Sequence, residues 1–339
     1  MSNGAIIITI ILSVLGALVF LYVLYLTLVY LAVTKKMYIR YNGHPLLKYF
    51  THLDFPGLKA EAISFFSKNK ITLRGFIYST AEVKDFSKVI IFFHGLGNGH
   101  LAYTKEINRL VRDNNLAVIA YDNTGTGQSE GKTIIDLARA LVDADYFLKY
   151  LEKDSRFAQS KLILVGHSWG GFVAGNLINI VKDERIKQAI VLNALPSIGD
   201  VSARFTKGKV FAKVFYTIIS RIKMGKYANQ SLLKTLQKHQ LNTMVVHGAL
   251  DPLVPLKYMT PIYKYAGTVD FIRPLIYPSH HHFVYLSEQG ETALMELQTN
   301  LKQLSADKLS EYTKTLDYDL IGQHNEQLFA TIQQFISRG

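Results

Sequence analysis

The sequence feature that most constrains this chain is a short apolar run that ends in a glycine-flanked serine. Residues 162–165 predict a buried strand, and Gly166-His-Ser-Trp-Gly170 follows it directly. Apolar residues then recur at helical spacing, at Phe172, Val173, Leu177, Ile178 and Val181. A serine between strand and helix in this way sits on a sharp, strained turn, where glycines avoid clashes. We therefore predict Ser168 as a nucleophile and the Trp169 amide as an oxyanion donor.

A second apolar strand, Lys88 to Phe93, runs into a glycine-rich loop at 94–99. Such loops bring backbone N–H groups close to a ligand. The Leu96 amide is therefore predicted to be the second oxyanion donor. We interpret His94 as a residue that supports the loop and not as a catalytic group.

A third buried strand, 116–121, ends at Asp122 and a cluster of glycines. The cluster lacks the G-x-G-x-x-G spacing, and no Lys-Ser/Thr pair follows it, so a phosphate-binding loop is not predicted. We expect a structural turn in which Asp122 bonds to the backbone. The segment from Ile134 to Leu151 predicts an amphipathic helix.

Asp251 is the predicted acid of the site. It follows a buried strand at 243–247, in a loop that Pro252 and Pro255 restrict. An aspartate before proline is often a turn residue. However, an architecture with a nucleophile on such a turn uses the chain order Ser, Asp, His. A carboxylate here orients an imidazole and stabilises its protonated form.

The general base is the least constrained member of the site. Residues 270–277 predict the last strand, and Pro278-Ser-His-His-His282 follows it. A loop in this place reaches both the serine and the aspartate. We rank His282 first and His281 second. His324, just before a closing helix at 327–336, is the remaining alternative, and it would place a long insertion between acid and base.

No metal site and no cofactor are predicted. Three adjacent histidines invite a metal interpretation, but consecutive side chains rarely point at one ion, and no cysteine or acidic cluster accompanies them. The sequence contains no cysteine at all, so disulfides and thiol chemistry are excluded.

Strands that alternate with helical segments predict a mostly parallel, doubly wound sheet, with ligands bound beyond the carboxyl ends of its strands. The motifs H-G-x-G, D-x-x-G-x-G-x-S, G-H-S-x-G-G and H-G-x-x-D-x-x-V-P begin at His94, Asp122, Gly166 and His247. In this order they resemble the α/β-hydrolase superfamily, from about Glu61 to the end. The resemblance implies the α/β-hydrolase fold with a small helical lid insertion. It also implies acyl transfer to water by a Ser-His-Asp triad with no cofactor.

Residues 5–33 carry no charge and are almost wholly apolar. Their helix would exceed the ~30 Å hydrocarbon core of a bilayer, so we predict one transmembrane helix. A cleaved signal peptide fits poorly, because residues 1–3 contain no Lys or Arg. Basic residues follow the span and none precedes it, which predicts a single-pass protein with its catalytic domain on the cytoplasmic side. The span and the short segment before Asp251 resemble the Bem46-type serine hydrolases.

The predicted domains are a juxtamembrane linker at 34–60 and a hydrolase domain at 61–339. Within the latter we expect a lid at about 199–241 and an extended helical tail at about 287–339. Residues 200–241 hold nine basic residues and one acidic residue, and this segment therefore carries most of the chain's net charge of +12. Apolar residues recur there at helical spacing, at Phe211, Val214, Phe215, Ile218, Ile219 and Ile222. This helix is predicted to cover the pocket, to lie on anionic lipid, or both. No nucleic-acid-binding motif accompanies the charge.

Placement beside a bilayer predicts an acyl ester, a lipid ester or an acyl thioester as substrate. Two alternatives stay open. A non-catalytic member of the superfamily would use the pocket or the basic segment to bind a partner. A serine peptidase would use the same triad to cleave amides.

Overall fold

The computed structural model describes residues 2–199 and 209–339, apart from the side chains of Val33 and of residues 209–212. Its strands are β1 (Lys59–Phe66), β2 (Thr72–Ser79), β3 (Lys88–Phe93), β4 (Ala117–Tyr121), β5 (Lys161–His167), β6 (Ile186–Leu192), β7 (Asn242–Gly248) and β8 (Ile272–Tyr277). They form one sheet in the order β1-β2-β4-β3-β5-β6-β7-β8. Strands β3 to β8 run parallel, while β2 pairs antiparallel with both β1 and β4.

Helices flank the sheet. Those described are α1 (Asn3–Met37), α2 (Thr104–Asn114), α3 (Arg139–Leu151), α4 (Trp169–Ile180), α5 (Lys209–Met224), α6 (Leu232–Lys238), α7 (Thr260–Ala266), α8 (Glu288–Gln303), α9 (Ala306–Lys314), α10 (Tyr318–Ile321) and α11 (Glu326–Ser337). Side chains alternate along each strand, so the sheet is buried on both faces. Val89 and Ile91 pack with α3 and α4, whereas Ile90 and Phe92 pack with α2 and α11. This confirms the predicted doubly wound α/β-hydrolase fold.

The predicted helix from Ile134 to Leu151 is wrong in its first turn and a half, because α3 begins only at Arg139. One local and one long-range hydrogen bond hold the preceding residues in a turn. The Asp136 carboxylate accepts from the Ala138 amide at 2.8 Å, and the Trp169 indole donates to the Leu137 carbonyl at 2.7 Å. Ile135 has a φ of 65°, which no helix tolerates. The apolar periodicity therefore reflects burial of a loop against the domain.

Helix α1 is long and apolar enough to cross a membrane. Most of its side chains are exposed, but Leu26 and Tyr30 are buried beside Tyr216 of α5. The Lys223 ammonium donates to the Tyr30 hydroxyl at 2.8 Å. The C-terminal third of α1 is therefore packed on α5.

The predicted lid at about 199–241 is described only in part. Residues 200–208, with Arg204 and Lys207, lie outside the described residues, as do the side chains of Lys209 and Phe211. Helices α5 and α6 occupy most of the remainder. In the predicted tail, α11 buries Leu328, Phe329, Ile332, Phe335 and Ile336 against the sheet. The end of the tail is therefore part of the hydrophobic core.

Candidate active site

Ser168 occupies the tight turn between β5 and α4. Its φ of 55° and ψ of −114° are unfavourable for a residue with a side chain, and such strain is typical of functional turns. The turn has no room for flanking side chains. A Cβ at Gly166 would collide with the Gly170 carbonyl, and a Cβ at Gly170 would collide with the Phe93 carbonyl at the end of β3. The glycines therefore let β5, α4 and β3 meet closely, with the serine hydroxyl half-buried at the sheet edge.

The structure brings Ser168, His282 and Asp251 together from three separate loops. The Ser168 hydroxyl lies 2.9 Å from Nε2 of His282, and Nδ1 of His282 lies 2.7 Å from Oδ2 of Asp251. Nδ1 donates to the carboxylate, so Nε2 is free to accept the serine proton. This is the relative placement of nucleophile, base and orienting acid that acyl transfer requires.

Asp251 is held as an anion. Burial alone would raise its pKa, but the hydrogen bond and electrostatic interaction with His282, together with hydrogen bonds from Val254 and Asn193, outweigh burial and lower the pKa to about 2. Backbone amides of Leu253 and Val254 donate to Oδ1 at 2.8 and 2.9 Å. The Asn193 side chain donates to Oδ2 at 2.8 Å. The carboxylate is thus fixed on both oxygens and remains charged over the physiological pH range.

The other two histidines of the tripeptide face elsewhere. Nε2 of His280 lies 3.1 Å from the Leu286 carbonyl, and Nδ1 of His281 lies 3.7 Å from the Glu291 carboxylate. The three rings of the tripeptide thus contact three different partners. Among the described residues no group of three metal-ligating side chains is found.

His324, the alternative base, contacts another part of the molecule. Its Nε2 lies 3.4 Å from the Glu106 carboxylate without the alignment of a hydrogen bond, and its ring packs on Phe329 at 4.7 Å. Its backbone bridges to Leu286. His324 therefore lies where α2, α11 and the loop between β8 and α8 meet, and among the described residues no contact joins it to Ser168.

The two predicted oxyanion donors lie on adjoining segments. The Trp169 amide belongs to the first turn of α4, where N–H groups have no partner within the helix. In the loop after β3, the Gly95 amide donates to the Tyr103 hydroxyl at 3.1 Å, and the predicted donor, the Leu96 amide, is the next along the chain. The close approach of Gly170 to Phe93 brings these two segments side by side.

A buried hydrogen-bond chain connects the loop after β3 to His282. The Gly95 amide donates to the Tyr103 hydroxyl, and this hydroxyl in turn donates to Nδ1 of His167 at 2.9 Å. Nε2 of His167 then donates to the His282 carbonyl at 2.8 Å. Burial, together with the neighbouring His282, lowers the pKa of His167 to about 3, so this ring is neutral. The chain ties together three loops that carry the candidate site.

His94 and Asp122 have internal partners, as a supporting role requires. Nδ1 of His94 lies 2.7 Å from the Gly95 carbonyl, and its Nε2 accepts from the Asn123 amide at 3.1 Å. Asp122 accepts from the backbone amides of His100 and Gln128, each at 2.7 Å. Both side chains are buried and hold the loops in place.

Sequence reasoning missed three residues that hold the site. Asn193 binds both Asp251 and the His281 carbonyl, Glu291 accepts from the amides of His281 and Phe283, and His167 binds the His282 backbone. One signal was present, since Asn193 directly follows β6 at the carboxyl edge. No local pattern marks Glu291, which lies in the first turn of α8.

Residues 84–242 match the family model described as serine aminopeptidase, S33. An esterase of Pyrococcus furiosus, Pf2001, superposes with a TM-score of 0.58 at 16% identity, covering 89% of this chain and 98% of that one. An α/β hydrolase of Vibrio vulnificus superposes with a TM-score of 0.50 at 16% identity, covering 74% and 82%. No curated protein matches the sequence significantly.

These likenesses and the sheet order establish that the chain has the α/β-hydrolase fold. At such identities the structural neighbours show the fold alone. The strained serine, which the fold places after its fifth strand, and the family match both support a place in the α/β-hydrolase superfamily.

Proposed function

We propose that the protein is a serine hydrolase that cleaves carboxylic ester or thioester bonds of acyl substrates. The observation that carries the proposal is the continuous chain from the Ser168 hydroxyl through His282 to Asp251, at 2.9 and 2.7 Å. A strained serine, an imidazole in the correct tautomer and an anionic carboxylate support nucleophilic catalysis when they occur together.

In the proposed reaction, Ser168 Oγ attacks the substrate carbonyl while its proton passes to Nε2 of His282. The amides of Leu96 and Trp169 stabilise the negative charge on the carbonyl oxygen. His282 returns the proton to the leaving alcohol or thiol as the bond from the acyl carbon breaks, which leaves an acyl-serine. Water, deprotonated by His282, then releases the carboxylic acid and restores Ser168. Asp251 stabilises the imidazolium in both steps.

Exposed apolar side chains around the proposed site favour an acyl substrate. Leu96, Ile135, Leu250 and Leu253 are all at least one-third exposed, and each lies on a loop that follows a strand at the Ser168 edge of the sheet. Single exposed apolar residues are ordinary, but four on the loops of one edge suit a hydrocarbon chain.

A peptidase is the second candidate, because the matching family model is described as a serine aminopeptidase. The same triad cleaves amides. An aminopeptidase requires a carboxylate that binds the substrate's amino terminus. In the described part of the chain, Asp251 and Asp122, which follow strands at the same edge of the sheet as Ser168, are already engaged by internal partners. This favours the esterase, and relative turnover of matched ester and amide substrates decides between the two.

We further propose that α1 anchors the protein in a membrane by a single pass, with the catalytic domain on the cytoplasmic side. The support is the length and apolar composition of α1 and the exposed Lys35 and Lys36 in its last turn. This arrangement also underlies the proposed likeness to the Bem46-type serine hydrolases.

Labelling with a fluorophosphonate probe tests the function. The full chain in detergent is compared with Ser168→Ala, His282→Ala and His324→Ala. We expect labelling of the wild type and of His324→Ala, and loss of labelling in the other two variants. Labelling that persists in Ser168→Ala would place the nucleophile elsewhere. Absence of labelling in a folded wild type would contradict a serine hydrolase and favour the non-catalytic binding protein.

A further inference from the structure

The segment that follows α1 is bound to the same edge of the sheet as Ser168. Tyr41 forms a bridge with Thr126, in the loop after β4, through backbone hydrogen bonds with Gly125 and Gly127 at 3.0 Å. The Arg40 guanidinium donates to three carbonyls of this loop, those of Gly127, Ser129 and Gly131. The end of the helix is therefore held firmly at the carboxyl edge.

Two further contacts place the anchor at this edge. The Tyr49 hydroxyl accepts from the Asn98 side chain at 2.6 Å, and Asn98 belongs to the oxyanion loop after β3. Tyr30 of α1 packs on Tyr216 of α5, with ring centroids 5.3 Å apart, and α5 belongs to the segment that follows β6. Three loops of the carboxyl edge thus receive α1 and the segment that follows it.

The apolar run of α1 is longer than a bilayer span requires. At 1.5 Å per residue, residues 5–33 extend over about 43 Å, whereas the hydrocarbon core is ~30 Å thick and needs about 20 residues. Residues 5–25 satisfy that need, and their side chains are nearly all exposed. Leu26 and Tyr30, which lie in the excess, are covered by α5. With α1 as the proposed anchor, the bilayer surface would therefore fall at the level of α5.

Helix α5 carries an apolar stripe that is exposed among the described residues. Val214, Ile218 and Ile222, spaced four residues apart, are 52%, 53% and 79% exposed. Arg221 and Lys223 border this stripe, and both are exposed. Apolar residues flanked by cations are characteristic of a helix that lies in a membrane interface. The residues next to the stripe, Phe215, Tyr216 and Ile219, pack against Leu26 and Tyr30 of α1.

We propose that the carboxyl edge of the sheet, with the opening to Ser168, faces the bilayer, and that α5 lies in the membrane interface. The proposed hydrolase then draws its acyl substrate directly from the membrane leaflet in which it is anchored. The exposed leucines on the loops of the opening and the stripe of α5 form one lipid-contacting surface. This inference rests on the proposed anchor, and its substrate part rests on the proposed function.

Fluorescence quenching tests the orientation without relying on activity. Because the chain has no cysteine, single cysteines can be labelled with bimane in the full protein. Ile222→Cys and Leu250→Cys report on the proposed lipid-contacting surface. Lys161→Cys is the matched control, because it is exposed at the opposite end of β5, about 23 Å from Ser168. The host is a nanodisc of phosphatidylcholine and phosphatidylglycerol with or without doxyl-labelled lipid.

We expect doxyl lipid to quench bimane at positions 222 and 250 several-fold more than at position 161. Equal quenching at the three positions, or stronger quenching at 161, would overturn the orientation. Disulfide-linked dimers of Ile222→Cys that form without lipid quenching would assign the stripe to a second copy of the chain and also overturn it.

Activity on two substrates tests access from the leaflet. In Ile218→Asp/Ile222→Asp we expect hydrolysis of a long-chain ester in the nanodisc to fall about tenfold or more. Hydrolysis of a water-soluble short-chain ester by this variant should be unchanged. The control variant Lys161→Asp/Lys187→Asp should hydrolyse both substrates at the wild-type rate. Equal loss on both substrates would contradict leaflet access. A wild type inactive on both would refute the proposed function, while the quenching experiment would still decide the orientation.

Discussion

The molecule contains two buried aspartate–histidine pairs of nearly identical geometry at the same edge of the sheet. Oδ2 of Asp251 lies 2.7 Å from Nδ1 of His282, and Oδ1 of Asp122 lies 2.6 Å from Nδ1 of His100. In both pairs burial opposes ionisation of the carboxylate, yet the histidine and backbone donors hold the pKa of the aspartate below its usual value. Judged by the pair alone, either would suit catalysis.

The surroundings of the second imidazole nitrogen distinguish the pairs. Nε2 of His282 faces Ser168 at the half-exposed edge of the site. Nε2 of His100 is fully buried, has no hydrogen-bond partner among the described residues, and its ring packs between Phe76 and Tyr78. An ionised aspartate beside a histidine is therefore insufficient for the proposed chemistry. A nucleophile and access for the substrate are also needed.

Replacing the carboxylate of Asp251 or Asp122 by an amide should reveal the largest difference between the two aspartate–histidine pairs. Asp251→Asn should lower kcat by about 10⁴-fold, because the amide favours the wrong tautomer of His282. Asp122→Asn should leave kcat within a few-fold but lower the free energy of unfolding by about 1–3 kcal/mol, because its buried donors lose their acceptor. Esterase kinetics and urea denaturation of both variants provide the measurement. A large loss of kcat in Asp122→Asn alone would reverse the assignment of the two pairs.

The backbone on either side of the proposed base offers a finer test. Glu291 is buried and accepts from the amides of His281 and Phe283 at 2.8 and 2.6 Å. Glu291→Gln replaces one acceptor by a donor, so we expect His282 to shift and kcat to fall about tenfold to a hundredfold. The KM should change little.

The matched control is Glu288→Gln in the same helical turn, since Glu288 is exposed and bonds to the Ser279 hydroxyl instead. Equal effects of the two variants on kcat would remove Glu291 from the positioning of His282. Thermal melting of both proteins distinguishes misplacement from unfolding.

His167 supports only the pair that contains His282, and its effect should appear in the pH dependence of stability. Its native pKa is about 3, while that of an unfolded histidine is about 6.5. Between these values the unfolded state binds one more proton than the native state. The contribution of the neutral His167 to the free energy of unfolding is therefore fully present above about pH 6.5. It is lost at about 1.4 kcal/mol per pH unit as the pH falls toward 3.

In His167→Gln we expect a shallower decline of the free energy of unfolding between about pH 6.5 and about pH 4. Urea denaturation at several pH values gives the slope, and His324→Gln controls for the loss of one imidazole. A slope identical to that of the wild type would show that His167 does not remain neutral in the folded protein.

The sequence was informative where chemistry and local geometry coincide. The turn at Ser168 can be predicted because strand, glycines and helix are contiguous in the sequence. The loops that carry Leu96 and Asp251 can be predicted because each directly follows an apolar run. Parallel strands then imply a shared edge. The choice of His282 over His281 and His324 depends on how the loop after β8 is held, which a sequence pattern does not contain.

Residues that act across the sheet were beyond sequence reasoning. Asn193 and Asp251 are 58 positions apart, and His167 binds a carbonyl 115 positions away. The helix predicted from Ile134 was misplaced for a related reason. Ile134 donates its amide to the Ile39 carbonyl, and that contact with the juxtamembrane segment overrides the local helical periodicity.

The backbone of Ser168 has an evolutionary consequence. A non-glycine residue at a φ of 55° and a ψ of −114° costs about 1–3 kcal/mol, which is a sizeable share of the stability of an ordinary domain. Glycine adopts such a conformation without this penalty. In a lineage that no longer used the hydroxyl, drift toward glycine at position 168 would be favoured by stability alone. Serine at position 168 is therefore retained only while selection acts on the chemistry of its hydroxyl.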